Sequence, residues 1–387
     1  MKLMNFFSND GHYLEIGPLD NPFFKRPQYD VRYLDFYDTE TIKKLYRDSY
    51  ANIEKIVRID FPTHGKTYKE TVGNEMFDAV YSSHCIEHTH DFIEHLKDVS
   101  DILQDDGRYV FVVPDKNNCF DYYRSPTSFR EIYSVYLDKQ IHSFISDAVF
   151  NSCTYGFSVP TKEFWQKEVS FIPDILMQQI DPPLTEYCKK IFESDDPLSC
   201  SPTCHKWVFT HKSLMEILRD MLRFNLLPFS IEFHQCTSSA DNYNIEVVLR
   251  KNKHIENNPI LRAKEIFKVE NFIEKTCGIK SKWLDLIDGT IKPKKIYLYG
   301  AGDYGKKLFY FLKDFLDTEI EFIVSDDTFD ENNDLPAIVR KVSEINIACD
   351  ALIIIAVRNS NICRSMTETL LKRGYTEGNQ FIRLSSC

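Results

Sequence analysis

The chain has 387 residues, of which 43% are hydrophobic and 14% aromatic, enough for two or three domains with substantial cores. Its formal net charge is −11, which disfavours an enzyme that binds nucleic acid. No apolar run approaches the roughly 20 residues that cross a bilayer. Residues 1–7 are too few for a signal peptide, and the eleven cysteines form no paired pattern. We therefore expect a cytoplasmic protein with reduced thiols and without a membrane span.

The first two predicted strands end close to acidic residues. The run 13–16 contains one acid and leads into a glycine-proline turn, and the run 31–34 leads into a second acid. Open parallel sheets bind ligands at the carboxyl ends of their strands, so these tips predict a nucleoside site. The predicted ligand contacts here are Glu15, Gly17, Pro18 and Asp35. An acid in such a place can instead cap the following helix.

A third strand is predicted at residues 55–59, and Asp60 follows it. At the tip of this strand, Asp60 would meet the adenine amino group, although it can equally be an ordinary turn residue. A fourth, buried strand over 76–83 runs into a polar tip that contains Ser83 and His84.

The next helix begins at Asp91, and its apolar residues recur at helical spacing, so that one face packs on the sheet. A fifth strand follows at 108–115.

Four short motifs follow one another along this part of the chain. They are E-I-G-P at 15–18, S-S-H-x-x-E-H at 82–88, D-G-R at 106–108 and V-P-D-K at 113–116. The block resembles the class I S-adenosylmethionine-dependent methyltransferases, in particular a bacterial subgroup with the first two motifs. The resemblance covers about the first 115 residues. It implies a Rossmann-like α/β sheet, S-adenosylmethionine as the cofactor, and cofactor contacts from the acids and turn residues above, with Asp60, Ser83 and His84.

The first turn departs from the wider superfamily because it carries a single glycine, Gly17. A thin loop offers few backbone N–H groups to a phosphate. S-adenosylmethionine has no phosphate, so the departure argues more against a dinucleotide than against this cofactor.

Methyl transfer requires that a proton leave the acceptor, and the resemblance implies which side chains lie near it. His88 is the first candidate for the general base, and Asp115, which ends the fifth strand, is the second. His84 lies beside the sulfonium and more often packs there than acts as a base. His142 and His205 are further candidates that an insertion could bring to the site.

The insertion extends over 117–204 and is rich in aromatic residues. We expect a mostly helical cap that shapes the substrate pocket, with most of the aromatic residues forming its core. A helix capped by Thr210 and strand-like runs at 229–233 and 244–249 should then close the sheet as an antiparallel pair. The methyltransferase domain would therefore cover residues 1–252.

The sequence C-x₃-C-H-x₅-H contains possible zinc ligands, namely Cys200, Cys204, His205 and His211. Its spacing is not that of common zinc fingers, and no second cysteine pair supports it. We therefore expect no metal.

A charged segment at 253–293 is expected to be a helical linker, and a new strand begins after it. Gly300, Gly302 and Gly305 form a G-x-G-x-x-G turn between that strand and a helix, and Asp326 follows the next strand at the spacing of a ribose-binding acid. These features predict a second, smaller Rossmann-like domain over 294–387. It would bind a nucleotide or nucleotide-sugar, or its glycines would only allow tight packing. It resembles small domains of bacterial sugar-modifying enzymes.

Together these features predict a methyltransferase that acts on a small hydroxylated acceptor, with a sugar, nucleotide-sugar or glycan end as the favoured class. A homo-oligomer is compatible with these features. The alternative is a non-catalytic two-domain nucleotide-binding scaffold protein in a glycan-modification pathway. A weaker alternative is an oxidoreductase that uses the second domain.

Overall fold

The computed structural model describes residues 3–8, 10–47, 51–138, 141–155, 189–194, 204–237, 244–277, 286, 291–330, 335–346 and 350–383. The chain forms two compact units, Met1–Asn258 and Pro259–Cys387. Within the described ranges, no helix is both long and apolar enough to span a membrane.

A seven-stranded sheet forms the centre of the first unit. Its strands are β1 (His12–Ile16), β2 (Asp30–Asp35), β3 (Phe61–Pro62), β4 (Phe77–Ser83), β5 (Leu103–Pro114), β6 (Phe229–Cys236) and β7 (Asn244–Lys251). The spatial order is β3-β2-β1-β4-β5-β7-β6, and β7 is antiparallel to both of its neighbours. The other pairs are parallel. This order confirms the predicted Rossmann-like sheet that closes on an antiparallel pair.

The helices of this unit are α1 (Thr39–Leu45), α2 (Tyr68–Val72), α3 (Phe92–Ile102), α4 (Phe129–Asp138), α5 (Ile141–Tyr155) and α6 (His211–Arg223). The predicted start of α3 is confirmed, because Asp91 accepts hydrogen bonds from the N–H groups of Ile93 and Glu94, each at 3.0 Å. The predicted cap contains α4 and α5, whereas residues 156–188 and 195–203 of it lie outside the described part of the chain.

Aromatic rings fill the core on the side of β1 and β2. Tyr13 stacks on Phe24 with a centroid distance of 4.6 Å, and Phe23 stacks on Tyr81 at 4.2 Å. Burial of such a side chain contributes about 1.5–3 kcal/mol. Since Phe23 and Phe24 follow the turn after β1, this core fixes that turn against the sheet.

A five-stranded parallel sheet forms the second unit. Its strands are β8 (Lys295–Tyr299), β9 (Glu319–Val324), β10 (Val339–Lys341), β11 (Ala351–Ile355) and β12 (Phe381–Arg383), in the order β10-β9-β8-β11-β12. Its helices are α7 (Pro259–Thr276), α8 (Asp303–Phe315) and α9 (Ser360–Lys372). The order is that of a doubly wound fold, which confirms the second Rossmann-like domain.

The segment expected to be a linker contains helix α7, and the compact second unit includes this helix. The ring of Phe267 on α7 lies 4.7 Å from that of Phe311 on α8. Phe267 of α7 thus packs on a helix of the unit that also includes α7. The expectation of reduced thiols holds for the described free cysteines Cys85, Cys119, Cys204, Cys236 and Cys277. It needs a correction at Cys363 on α9, which is disulfide-bonded.

Candidate active site

Glu15 organises the turn after β1. Its side chain is buried, and its two carboxylate oxygens accept the N–H groups of Phe23 at 2.7 Å and Phe24 at 3.0 Å. Burial raises the pKa of Glu15 to about 7, against the opposing effect of the two N–H donors. Glu15, predicted as a ligand contact, therefore accepts hydrogen bonds from the backbone, and these bonds hold the turn in place.

Gly17 takes a left-handed conformation, with φ of +66°, and its N–H donates to Leu34 O at 3.0 Å. A Cβ atom there would make only ordinary contacts, 3.7 Å to Cys85 Sγ, so the backbone angle is what favours glycine. Pro18 is buried beside it. The turn thus crosses the sheet edge between the tips of β2 and β4.

Asp35 lies at the tip of β2, as predicted. Its Oδ1 accepts the N–H of Tyr37 at 3.4 Å, and burial raises its pKa. Phe36 beside it is 47% exposed, an unusual state for a large apolar ring at a strand tip. A carboxylate with spare acceptor capacity beside exposed aromatic surface fits a ribose and a base.

Asp60 does not lie at a strand tip, and the strand predicted before it is wrong. Ile53–Lys55 is a 3₁₀ helix. Val57 N–H donates to Leu19 O at 3.1 Å, so the segment after this helix lies against the turn that follows β1. The strand begins only at Phe61, one residue after Asp60.

The carboxylate of Asp60 pairs with Arg26 and accepts the N–H of Tyr33. It is therefore occupied within the protein. The residues that continue past the tip of β3 are Thr63 and His64, whose N–H groups donate to the carbonyls of Asp35 and Phe36.

The tip of β4 carries Ser83 and His84 at the middle of the same edge. His84 has φ of +52° and a side chain that is 48% exposed. Burial on its inner side and the nearby His205 lower the pKa of His84. Both predicted residues thus reach the edge where the turn of Gly17 passes.

Three side chains converge behind this tip, namely Glu87, His88 and His205, and their potential ligand atoms lie within 4.8 Å of one another. Glu87 is fully buried, and no described residue donates a hydrogen bond to either carboxylate oxygen. His84 Nδ1 lies 3.5 Å from Glu87 Oε1, which is longer than an ordinary hydrogen bond. Burial raises the pKa of Glu87 to about 7.

Each histidine of this cluster is fixed through its Nδ1. His88 Nδ1 lies 3.2 Å from the carbonyl oxygen of Cys204, and His205 Nδ1 lies 2.5 Å from Asp121 Oδ2. The two rings meet edge to face at 4.9 Å. Burial, followed by the charges of His205 and Lys206, lowers the pKa of His88 to about 3.

Asp121 is held from both sides. Arg124 donates to its Oδ1 at 2.6 Å and to the carbonyl of His205 at 2.9 Å. Burial alone would raise the pKa of Asp121, but the hydrogen bond from His205 and the charge of Arg124 hold it below the ordinary value. The sequence analysis did not identify Asp121 or Arg124 as site residues. Their D-x-x-R spacing after the fifth strand was the available signal, and Glu87 stood unassigned within the S-S-H-x-x-E-H motif.

The remaining candidates lie in different environments. Asp115 Oδ1 caps the turn Lys116–Asn118 by accepting the N–H of Asn117 at 2.9 Å. The side chain of His142 and all of Cys200 lie outside the described part of the chain. His211 pairs with His234 at 2.9 Å and so does not join Cys204 and His205.

In the second unit the three glycines differ in environment. A Cβ on Gly305 would lie 1.9 Å from Gly300 O, and one on Gly300 would lie 2.9 Å from Val357 Cγ1. These two positions are explained by close packing. A Cβ on Gly302 would meet nothing within 4 Å. Asp326 is exposed and accepts the N–H of Ser343 at 3.1 Å.

A comparison with protein families matches residues 4–153 to a methyltransferase domain. No curated protein matches the chain. The match includes β1 to β5 and the site at their carboxyl edge. Residues 4–153 of the first unit are therefore similar to a methyltransferase domain.

Solved structures with a similar course of the chain have low identity. An S-adenosylmethionine-dependent methyltransferase from Clostridium acetobutylicum is 8% identical, with 65% of this chain and 87% of that chain covered and a TM-score of 0.32. A putative one from Listeria monocytogenes is 10% identical, with 65% and 96% covered and a TM-score of 0.32. The plantazolicin methyltransferase BpumL, in complex with SAH, is 9% identical, with 65% and 80% covered and a TM-score of 0.32. Likeness at this level carries no information about the acceptor.

Proposed function

We propose that this enzyme methylates a small hydroxylated acceptor, with a sugar, nucleotide-sugar or glycan end as the favoured class. The observation that supports the acceptor class is a polar cavity of about 880 Å³ beside the Glu87, His88 and His205 cluster. The described residues of its lining include Arg124, Ser128, Arg130, Asp138, Asp147 and Lys206. Such a lining is more polar than apolar, and it offers donors and acceptors to the hydroxyl groups of an acceptor.

The cavity adjoins the cluster through two of its lining residues. Lys206 Nζ donates to the carbonyl of His88 at 2.5 Å, and Arg124 donates to the carbonyl of His205. The Nε group of Arg124 is buried and has no described partner. It is therefore available to an acceptor oxygen that enters the cavity.

The cofactor role that we propose falls on the edge formed by Gly17, Asp35 and His84. Asp35 would accept the ribose hydroxyls, and Glu15 would act indirectly by holding the turn. Exposed Phe36, with His64 beside it, replaces Asp60 as the proposed contact of the adenine. When bound, S-adenosylmethionine supplies the methyl group, and the protein aligns the acceptor oxygen with it.

A proton must leave the acceptor hydroxyl during the transfer. His88 stays the first candidate for this task, because Nδ1 is held by Cys204 O and Nε2 has no described hydrogen-bond partner. Asp115 is a weaker candidate, since its Oδ1 is engaged by Asn117 N–H and its Oδ2 contacts Cys236 Sγ at 3.5 Å. His84 is exposed and closer to a positioning role.

The test of the cofactor site compares two aspartates by calorimetric titration with S-adenosylhomocysteine. Asp35→Asn removes the charge that strengthens two hydrogen bonds to ribose, so we expect affinity to fall by about 10-fold or more. The matched control is Asp60→Asn, whose carboxylate is engaged by Arg26 and which should bind within about twofold of wild type. Equal affinity of the Asp35 variant and the wild type would remove the ribose role.

The acceptor class is tested separately by transfer of a labelled methyl group to a panel of sugars, nucleotide-sugars and oligosaccharides. If the protein binds S-adenosylhomocysteine and methylates none of them, the acceptor class is wrong. If it does not bind S-adenosylhomocysteine at all, the alternative of a non-catalytic scaffold protein takes its place.

For the second unit we propose binding of a nucleotide or nucleotide-sugar at the turn of Gly302. Gly302 has φ of −72° and open space at its Cβ, so Gly302→Val should leave the fold intact and obstruct a diphosphate. Titration with nucleoside diphosphates and nucleotide-sugars, followed by thermal unfolding, checks both statements. Binding that survives in this variant would contradict the proposed position.

A further inference from the structure

Glu87 in the first unit is a buried carboxylate whose oxygens have no hydrogen-bond partner among the described residues. It is 0% exposed. Buried polar groups are rarely left unsatisfied, and an unpaired buried carboxylate is costly. The ammonium group of Lys206 donates to the carbonyl of His88 and forms no ion pair with Glu87. Among the described residues, Glu87 therefore has no hydrogen-bonded cation, and His84 Nδ1 approaches it only to 3.5 Å.

The two neighbouring histidines are arranged as ligands. Their Nδ1 atoms are taken by Cys204 O and by Asp121 Oδ2, which leaves Nε2 of each ring for a further partner. Metal-binding histidines almost always have one nitrogen held by a carbonyl or a carboxylate in this way, because the bond fixes the tautomer and the ring orientation. Both kinds of support occur here.

The distances also suit one ion. Potential ligand atoms of Glu87, His88 and His205 lie within 4.8 Å of one another. Ligands about 2.1 Å from a tetrahedral ion lie about 3.4 Å apart, so small side-chain rotations close the site.

We propose that Glu87, His88 and His205 bind one divalent first-row transition metal ion, with zinc as the reference ion, and leave a position open to a ligand. Two imidazoles and one carboxylate form a ligand set of catalytic zinc sites and of mononuclear iron sites. It is unsuited to Mg²⁺ or Ca²⁺, which take oxygen ligands. The proposal replaces the expectation of no metal and differs from the C-x₃-C-H-x₅-H set.

A second possible set, formed by Cys119, Asp121 and His205, fits less well. Both oxygens of Asp121 are already engaged, by His205 and by Arg124. In our assignment Asp121 is a positioning residue that orients the ring of His205.

Binding of the metal ion does not depend on the proposed methyl acceptor. A catalytic role of the ion rests on the proposed function. The cavity beside the cluster would bring an acceptor hydroxyl to the open position, where a divalent cation lowers the pKa of a bound oxygen. His88 would then be a ligand and not the general base, and its replacement would remove turnover together with metal.

The test is a calorimetric titration of the full chain with Zn²⁺ after treatment with a chelator. We expect one ion per chain. Glu87→Gln should weaken binding by more than about 100-fold, since loss of an outer partner of a ligand already costs ~10–100-fold. Asp121→Asn should weaken Zn²⁺ binding by the smaller factor of ~10–100-fold. The matched control His254→Asn changes an exposed histidine and should bind as wild type does.

Absorption of the Co²⁺-loaded wild-type protein gives a readout that needs no variant. Intense bands of a four- or five-coordinate ion are expected, and a weak octahedral spectrum would overturn the assignment. The proposal also fails if the wild type binds no stoichiometric Zn²⁺ or if Glu87→Gln binds like the wild type. S-adenosylhomocysteine is titrated into the same samples, so that loss of the metal proposal and loss of the proposed function are observed separately.

Discussion

His95 connects four elements of the first unit through a buried chain of hydrogen bonds. On α3, its Nδ1 lies 2.9 Å from the hydroxyl of Tyr68 on α2, and its Nε2 lies 2.8 Å from the hydroxyl of Tyr109 on β5. That hydroxyl lies 2.8 Å from Ser82 Oγ on β4. A neutral ring suits this chain, because one nitrogen donates and the other accepts. Burial lowers the pKa of His95 to about 3.

The low pKa makes the stability of the unit depend on pH. In the unfolded chain His95 takes up a proton below about pH 6.5, whereas in the folded state it stays neutral down to about pH 3. Its contribution is fully present above about pH 6.5 and is lost as pH falls. Between pH 7 and pH 5 the free energy of unfolding should fall by about 2 kcal/mol through His95 alone.

The measurement compares wild type with His95→Gln at both pH values. Pulsed hydrogen exchange of α3 along a urea titration reports this unit alone. Gln keeps one donor and one acceptor, so the variant should fold, with lower stability at pH 7 and a loss on acidification that is about 2 kcal/mol smaller. His254→Gln is the control, because that histidine is exposed. An equal acid loss in wild type and His95→Gln would refute the reasoning.

Three further predictions concern single positions. Gly17→Ala forces a side chain into the left-handed region at φ +66°, so urea unfolding should show a loss of about 1–2 kcal/mol, and an unchanged value would contradict the angle. Glu15→Ala leaves the N–H groups of Phe23 and Phe24 without their acceptor, so the unit should lose about 2–4 kcal/mol and bind S-adenosylhomocysteine more weakly, whereas Glu15→Gln should recover part of both. Glu321→Gln in the second unit removes the charge of a carboxylate that is 2% exposed and pairs with Lys295 and Arg340, which are both partly exposed to water. Thermal unfolding should show a loss of about 1–2 kcal/mol in the free energy of unfolding, and an unchanged value would contradict a stabilising role of these pairs.

The sequence determined most of the elements of both sheets, although not the strand before Asp60. Acids and a glycine turn at strand tips, a helix capped by Asp91 and the runs that became β6 and β7 are local patterns, because each depends on residues adjacent in the chain. They were enough to predict two Rossmann-like sheets and to place Asp35 at the tip of β2.

Local patterns were insufficient where a side chain finds its partner far along the chain. Asp60 looked like a strand-tip acid, but Arg26 and the start of β3 at Phe61 give it a different place. α7 looked like a linker because its segment is charged, but Phe267 on this helix packs against Phe311 on α8, which the chain reaches only later.

The cluster of Glu87, His88 and His205 depends entirely on tertiary structure. His205 follows His88 by more than a hundred residues, and Asp121, which orients it, belongs to a third segment. The sequence supplied the ligand types but not their convergence. Folding of the chain around the tip of β4 excludes water from Glu87, and only this burial turns an ordinary surface-type acid into a carboxylate that requires a partner.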